Sequence, residues 1–178
     1  MKLTPAMQNF ILHWGEMGTR WGVNRSVAQI HALLHISPDA MTADEICETL
    51  NLARSNVSNG LKELQSQGLV KASRQLGDRR DHFTSIRDMF DLVDTVIAAR
   101  REREFAPTLR ALDAVIKEAE TDKTPAVVKD RMGETLRVMQ MFDDWYDDFA
   151  RLPRSVHLAV LKLGSKLVRF LPGGKPRD

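Results

Sequence analysis

Five polar residues fall between Arg54 and Asn59: Arg54, Ser55, Asn56, Ser58 and Asn59. Serine and asparagine are mediocre helix formers, so a run of them on a helix calls for a reason other than helicity. A merely solvated face is more usually Glu, Lys and Arg. Short hydrogen-bonding side chains, followed by Lys62, suit base edges and phosphates. Asparagine pairs bidentately with adenine, and arginine with guanine. A second cationic group, Arg74, Arg79 and Arg80, surrounds the turn signal Gly77-Asp78. Arginines at a hairpin tip reach a minor groove or the phosphates beside it. A basic turn alone says little; its place directly after the polar helix gives it meaning.

Such a polar face must be braced from behind. Val57, Leu61 and Leu64 recur at helical spacing and form an apolar inner face. Ahead of them Thr42 and Glu45 make a capping box, and Ala43, Ile46, Cys47 and Leu50 share one side of the helix it opens. Asn51-Leu52-Ala53 is long enough only for a tight turn. Gly68 stops the second helix, and segments 69–76 and 81–86 read as a hairpin, to which a short third strand can add. Helix, tight turn, helix and hairpin make a winged helix-turn-helix over about 41–86. Its second helix is of a size to enter a major groove about 12 Å wide. Gly60 lies in that helix interior at a cost of about 1 kcal/mol relative to alanine. Close approach of a neighbouring helix or of DNA explains it, and so does a tolerated defect.

The rest of the chain reads as helices, so the fold class is mainly α with a small β-hairpin. Thr4-Pro5 opens a helix carrying Met7, Phe10, Ile11 and Trp14, and a glycine-rich break follows at Gly15, Gly18 and Gly22. Val23, Val27, Ile30 and Leu34 mark a second helix, closed by Ser37-Pro38-Asp39. Beyond the hairpin, one helix runs from about Asp88 to Phe105 and is expected to break before Pro107, and another carries Leu109, Leu112, Ile116 and Ala119. Thr124-Pro125 opens a long helix with Val128, Met132, Leu136, Met139, Phe142, Tyr146 and Phe149 on one stripe. Pro153 ends it, and a last helix extends to about Phe170, with Leu158, Leu161 and Phe170 on more than one side. These residues exceed what a small winged-helix core needs, so a second copy of the chain is the expected cover: a homodimer. The expected organisation is residues 1–87 for DNA binding and 88–178 as a helical dimerisation region.

Composition bounds the alternatives. The chain has 178 residues, 43% apolar and 28% charged, which fits a globular fold rather than a disordered one. A net charge of only +2 means that any basic surface comes from local clustering. The single Cys47 permits no internal disulfide and fits a reducing cytoplasm. No signal-peptide core is visible, and the apolar stretch 156–170 is too short and too charged to span a bilayer. His31 and His35 stand one helical turn apart, but no third ligand follows at a telling spacing, so they read as two ordinary histidines on a helix face and no metal or cofactor is expected. Asp143, Asp144, Asp147 and Asp148 repel one another and are read as offset by the basic residues after them, from Arg151 onward. No Ser/His/Asp, Cys/His or phosphate-cradling glycine pattern points to catalysis.

Taken together, Trp21-Gly22-Val23-Asn24-Arg25-Ser26, Met41-Thr42-Ala43-Asp44-Glu45-Ile46, Ser55-Asn56-Val57-Ser58, Leu61-Lys62-Glu63-Leu64, Gly68-Leu69-Val70 and Gly77-Asp78-Arg79-Arg80 resemble the MarR superfamily. The Trp-Gly-x-Asn-Arg-Ser opening and the Asn-Val-Ser run are most similar to its GbsR branch. The resemblance is specific over about 15–86 and implies a DNA-binding regulator, more often a repressor, whose helices outside the winged helix pair two subunits. It departs from the usual pattern at Ala53, where a capping serine is expected, which removes a cap worth about 1 kcal/mol. Some GbsR-like members answer small quaternary-ammonium solutes, but no residue motif for such a ligand is visible here. An effector, where one acts, is expected near Trp14, Trp21 or Tyr146, whose rings hold a cation at about 0.5–2 kcal/mol per contact; the same rings also read as core. The rival to a DNA-binding regulator is a winged-helix module for protein–protein assembly. The polar helix face and the hairpin arginines favour DNA.

Overall fold

The structure is a computed structural model; it describes residues 1–167, without the side chains of Leu158, Leu161 and residues 164–167. Two compact units emerge, Met1–Glu102 and the remainder from Arg103.

The first unit opens with α1 (Pro5–Arg20) and α2 (Arg25–Ile36), which pack on each other. Thr4 caps α1 by accepting from the Met7 amide, and Asn24 caps α2 by accepting from the Ser26 amide. The expected break at Gly15 and Gly18 does not occur, for α1 runs through both to Arg20. The reason is close approach. A Cβ on Gly18 would lie 2.5 Å from the Ala28 Cβ, and one on Gly15 would lie 2.8 Å from the Gln29 Cγ. These glycines let α2 sit against α1; only Gly22, with φ +79°, serves the turn.

Next come β1 (Met41–Thr42), α3 (Ala43–Leu50) and α4 (Arg54–Ser66). The capping box is complete, with Thr42 N donating to Glu45 Oε2 at 2.7 Å and Glu45 N to Thr42 Oγ1 at 3.3 Å. Asn51 turns the chain in the left-handed region, φ 51°, so α3 hands over directly to α4. Gly68, φ +72°, ends α4 and leads into β2 (Val70–Arg74), which returns as β3 (Asp81–Ser85). The third strand adds as β1, so the antiparallel sheet has the order β1-β3-β2, with Met41 and Ala72 both opposite Phe83. Ile30, Leu33, Leu34, Ile46, Val57, Leu61, Leu64, Val70 and Phe83 form the core. Leu92 joins it from α5 (Met89–Arg100), whose N-terminus is capped by Asp88.

The expected interruption before Pro107 is also absent. A π-helical stretch, Arg101–Phe105, runs straight into α6 (Ala106–Thr121), and Phe105 keeps helical angles of φ −80° and ψ −50°. A wider π turn spares the ring of Pro107 the clash with a preceding carbonyl that would break a regular helix. In the second unit α6 packs on α7 (Ala126–Ala150), and α8 (Arg154–Leu167) follows. His157 of α8 donates from Nε2 to the Phe149 carbonyl at 2.7 Å, and their rings stack at 4.3 Å.

Of the two histidines on one face of α2, one is buried. His31 is buried, with Nε2 3.1 Å from Ser85 Oγ, while His35 donates from Nδ1 to the Ile86 carbonyl at 3.1 Å. Trp14 covers both rings. Burial, and secondarily the charge on His35, pushes the His31 imidazole down to about 4. Below the unperturbed value near 6.5, the unfolded chain takes up a proton that the folded chain refuses. Stability should therefore be flat above about pH 6.5 and fall as pH drops toward about 4, by about 3 kcal/mol. Urea midpoints of wild type and His31→Asn across this range check the assignment; equal pH slopes in the two would refute it.

Candidate nucleic-acid interface

The inner face of α4 sets the direction of its outer face. Val57, Leu61 and Leu64 are buried, and Gly60 lies so near α2 that a Cβ there would be 2.8 Å from the Ile30 Cδ1. The close approach at Gly60 is thus to a neighbouring helix. Opposite this face, Arg54, Ser55, Asn56, Asn59 and Lys62 are exposed and Ser58 is half-buried. Ala53 provides no side-chain cap, and the first turn holds no acid. The first main-chain bond of the helix is Val57 N to Ala53 O. The amides of residues 54–56 therefore point outward at the positive end of the helix dipole.

The start of α3, the outer side of α4 and strand β3 enclose an open cleft of about 290 Å³. Arg54, Ser58, Lys62, Arg80, Asp44 and Asp81 are among its lining. The structure thereby places polar-helix and hairpin residues around one space. Three arginines in or near it are matched by carboxylates. Arg54 Nη1 pairs with Asp44 Oδ1, and Arg74 Nε lies 3.4 Å from Asp81 Oδ1. Arg80 turns back on Asp78 through Nε at 3.0 Å and Nη2 at 2.6 Å, and its amide adds a bond at 2.9 Å. These bonds hold the Asp78 carboxyl far below the usual carboxylate range. Arg79 at the same tip is exposed and makes no ion pair among the described residues.

The tip is also tied to the sheet. His82 donates from Nε2 to Asp78 Oδ2 at 3.1 Å, while its Nδ1 is buried without a partner among the described residues. Glu45 is held below its ordinary range, first by the Thr42 amide and hydroxyl and then by the charges of Arg80 and His82. Sequence reading passed over Asp44, Asp78 and His82. Only Asp78 left a local signal, an acid two residues ahead of an arginine.

The other candidate residues are dispersed. Trp14 is half-buried and stacks on Phe10; Trp21 is 61% exposed, and its carbonyl accepts from Arg100. In the second unit Tyr146 is half-buried. Along α7, Leu136 is buried, Met132, Met139 and Phe149 are half-buried, and Val128 and Phe142 are exposed. Val138, Met141 and Trp145 are exposed beside them, a row that the stripe did not include. Phe170 and the side chains of Leu158 and Leu161 lie outside the described residues. Arg151 Nη1 stands 4.0 Å from Asp148. No helix among the described residues is long and apolar enough to cross a membrane, and none of their His, Cys, Asp and Glu side chains gather to hold a metal ion.

A helix-turn-helix followed by a hairpin, which β1 from ahead of it extends to a three-stranded sheet, defines a winged-helix fold. Residues 21–81 match the model of the MarR family, and over that segment the chain is similar to this family. The chain is also similar to the HTH-type transcriptional repressor GbsR of Bacillus subtilis (strain 168), which is 27% identical over 160 residues, 85% of this chain and 83% of that protein. A crystal structure described as that of a transcriptional regulator shares the fold with a TM-score of 0.67 at 16% identity, over 81% of this chain and 95% of the other.

The tether of the wing can be tested directly. Asp78→Ala removes the acceptor of the Arg80 amide and the partner of its side chain. Hydrogen exchange at Arg80 should accelerate while the amides of β2 and β3 stay protected. Unchanged protection at Arg80 would mean that the turn is held by something else.

Proposed function

We propose that this chain is a cytoplasmic transcriptional regulator that binds double-stranded DNA sequence-specifically as a homodimer and represses its targets. The observation that carries the reading is the exposed Arg54, Ser55, Asn56 and Asn59 on a helix whose other face is locked into the core, beside a wing tipped by Arg79 and Arg80. The similarity to a protein named as a transcriptional repressor supports the sign of regulation. Arg54, Ser55, Asn56, Ser58, Asn59 and Lys62 face the major groove in this reading, and Arg74, Arg79 and Arg80 attend the phosphates or the adjacent minor groove.

Pairing of two copies through the second unit is supported by the apolar side chains exposed along α7 and α8, among them Phe142, Trp145, Val156 and Leu163. A two-fold dimer presents two reading helices, so the operator is a near-palindrome with half-sites roughly 34 Å apart. Sedimentation at micromolar concentration should give a dimer; a monomer would refute this part.

Mobility shifts on the DNA upstream of the protein's own gene, against random duplex over a salt series, test the rest. Asn56→Ala or Asn59→Ala should cost about 1–3 kcal/mol per base contact and relax specificity at one base pair per half-site. Arg79→Ala should weaken all duplexes alike and flatten the salt slope by about one unit for each phosphate that the arginine neutralises. Intact affinities and slopes in these variants would favour the protein-assembly module instead.

A further inference from the structure

The hairpin between β2 and β3 turns at Leu76-Gly77. The Asp78 amide donates to the Gln75 carbonyl at 3.1 Å, and Gly77 takes φ +85° while Leu76 keeps a negative φ. That is a type II turn, whose first central position suits proline. Neither the turn nor the core asks for leucine there. Its side chain is fully exposed, whereas no other large apolar group among the described residues exceeds 61%. A Cβ on Gly77 would meet nothing within 4 Å, so the apex is open on that side too. The stem behind the apex is tied on both strands. Arg74 pairs with Asp81, and Asp78 holds both the Arg80 amide and its guanidinium and accepts from His82. Leu76 is thus the foremost apolar group of a braced tip that also carries the exposed Arg79.

We propose that Leu76 is the leading group of the wing on DNA: it enters the minor groove over A·T pairs and packs between the sugars of the two strands, while Arg79 attends their phosphates. This rests on the DNA-binding reading given above and adds an apolar contact to it. Charge complementarity selects the occupant. An apolar apex accompanied by an arginine matches a groove whose walls are sugar carbons and whose rims are phosphates. The groove is about 6 Å wide, room for one branched side chain, and over A·T pairs its floor lacks the guanine amino group. Leucine surrenders less rotamer freedom than lysine or arginine when it is fixed, and the braced stem leaves little else to order. A partner protein seated on the same apex would also bury the leucine, but the loss of Leu76 would then leave the binding of isolated duplex untouched.

The test titrates wild type, Leu76→Ala, Leu76→Met and Arg79→Ala against the upstream fragment that wild type binds, over a salt series, with thermal melts alongside. Leu76 packs on nothing in the fold, so the melts of its variants should coincide with that of wild type. Leu76→Ala should weaken binding about tenfold per half-site, the scale of burying one leucine. Its salt slope should stay that of wild type, because no phosphate contact is lost, whereas Arg79→Ala should lower the slope by about one unit. Leu76→Met, which keeps the apolar bulk, should restore most of the binding. A second fragment carries diaminopurine in place of every adenine, which adds an amino group to the minor-groove floor and leaves the major-groove edge as it was. It should weaken wild type and penalise Leu76→Ala clearly less. Unchanged affinity of Leu76→Ala, a loss accompanied by a lower salt slope, or an equal diaminopurine penalty in both proteins would each overturn the role of Leu76 while leaving DNA binding intact. A wild-type chain that shifts no duplex of any sequence would overturn the DNA-binding reading and this inference with it.

Discussion

The interlock between α4 and α2 is the constraint on which the rest depends. Val57 is fully buried, and Ile30 reaches into the space that a side chain on residue 60 would fill. A helix advances about 100° per residue. Turning α4 by one position would therefore lift Val57, Leu61 and Leu64 out of the core, at about 1.5–3 kcal/mol for each side chain exposed. That cost fixes the direction of the opposite face. Ser55, Asn56 and Asn59 then form a defined outward set rather than a band of polar residues free to roll.

Electrostatics follow from the same placement. The chain carries a net charge of only +2, and three arginines near the cleft are matched by carboxylates: Arg54 by Asp44, Arg74 by Asp81 and Arg80 by Asp78. Exposed pairs of this kind contribute little to stability. Their effect lies in orientation and in the near field. At physiological salt the Debye length is about 8 Å, so Arg79 and Lys62 act within contact range rather than as part of a large positive surface felt from afar. A protein so arranged gains less from indiscriminate attraction to phosphates and more from how its donors are aimed.

Local chemistry was legible in the sequence, and long-range packing was not. The Thr42–Glu45 box, the caps at Thr4 and the turns at Gly68 and Gly77 depend on residues within a few positions, and they stand where the pattern put them. Gly15 and Gly18 were misread because glycine serves both a turn and a close approach, and only the position of Ala28 and Gln29 on another helix separates the two. Pro107 was misread because a π turn can absorb it. The burial of His31 left no local signal, because its partner Ser85 lies 54 positions away. Of the candidate site, the polar set on α4 was readable from type and period. The carboxylates that restrain its arginines were hidden, since Asp44 meets Arg54 only once the tight turn at Asn51 folds α3 onto α4.

Thr42 shows how α4 and the hairpin tip are held at one separation. It is nearly fully buried, it caps α3, and as part of β1 it pairs with His82 of β3. His82 in turn donates to Asp78, which holds Arg80. The bracing helix and the wing tip are thus joined by a short series of hydrogen bonds rather than by a flexible loop. Loss of Asp78 would leave Nε2 of the buried His82 unmet, which costs about 1–3 kcal/mol, so this link resists opening. Because α4 is locked to the same core by Val57, the spacing between its outward face and the hairpin tip is a property of the fold. Two grooves of one duplex also stand at a set spacing. A rigid pair of elements can be complementary to them without rearrangement, and that is the physical case for a winged helix as a reader of double-stranded DNA.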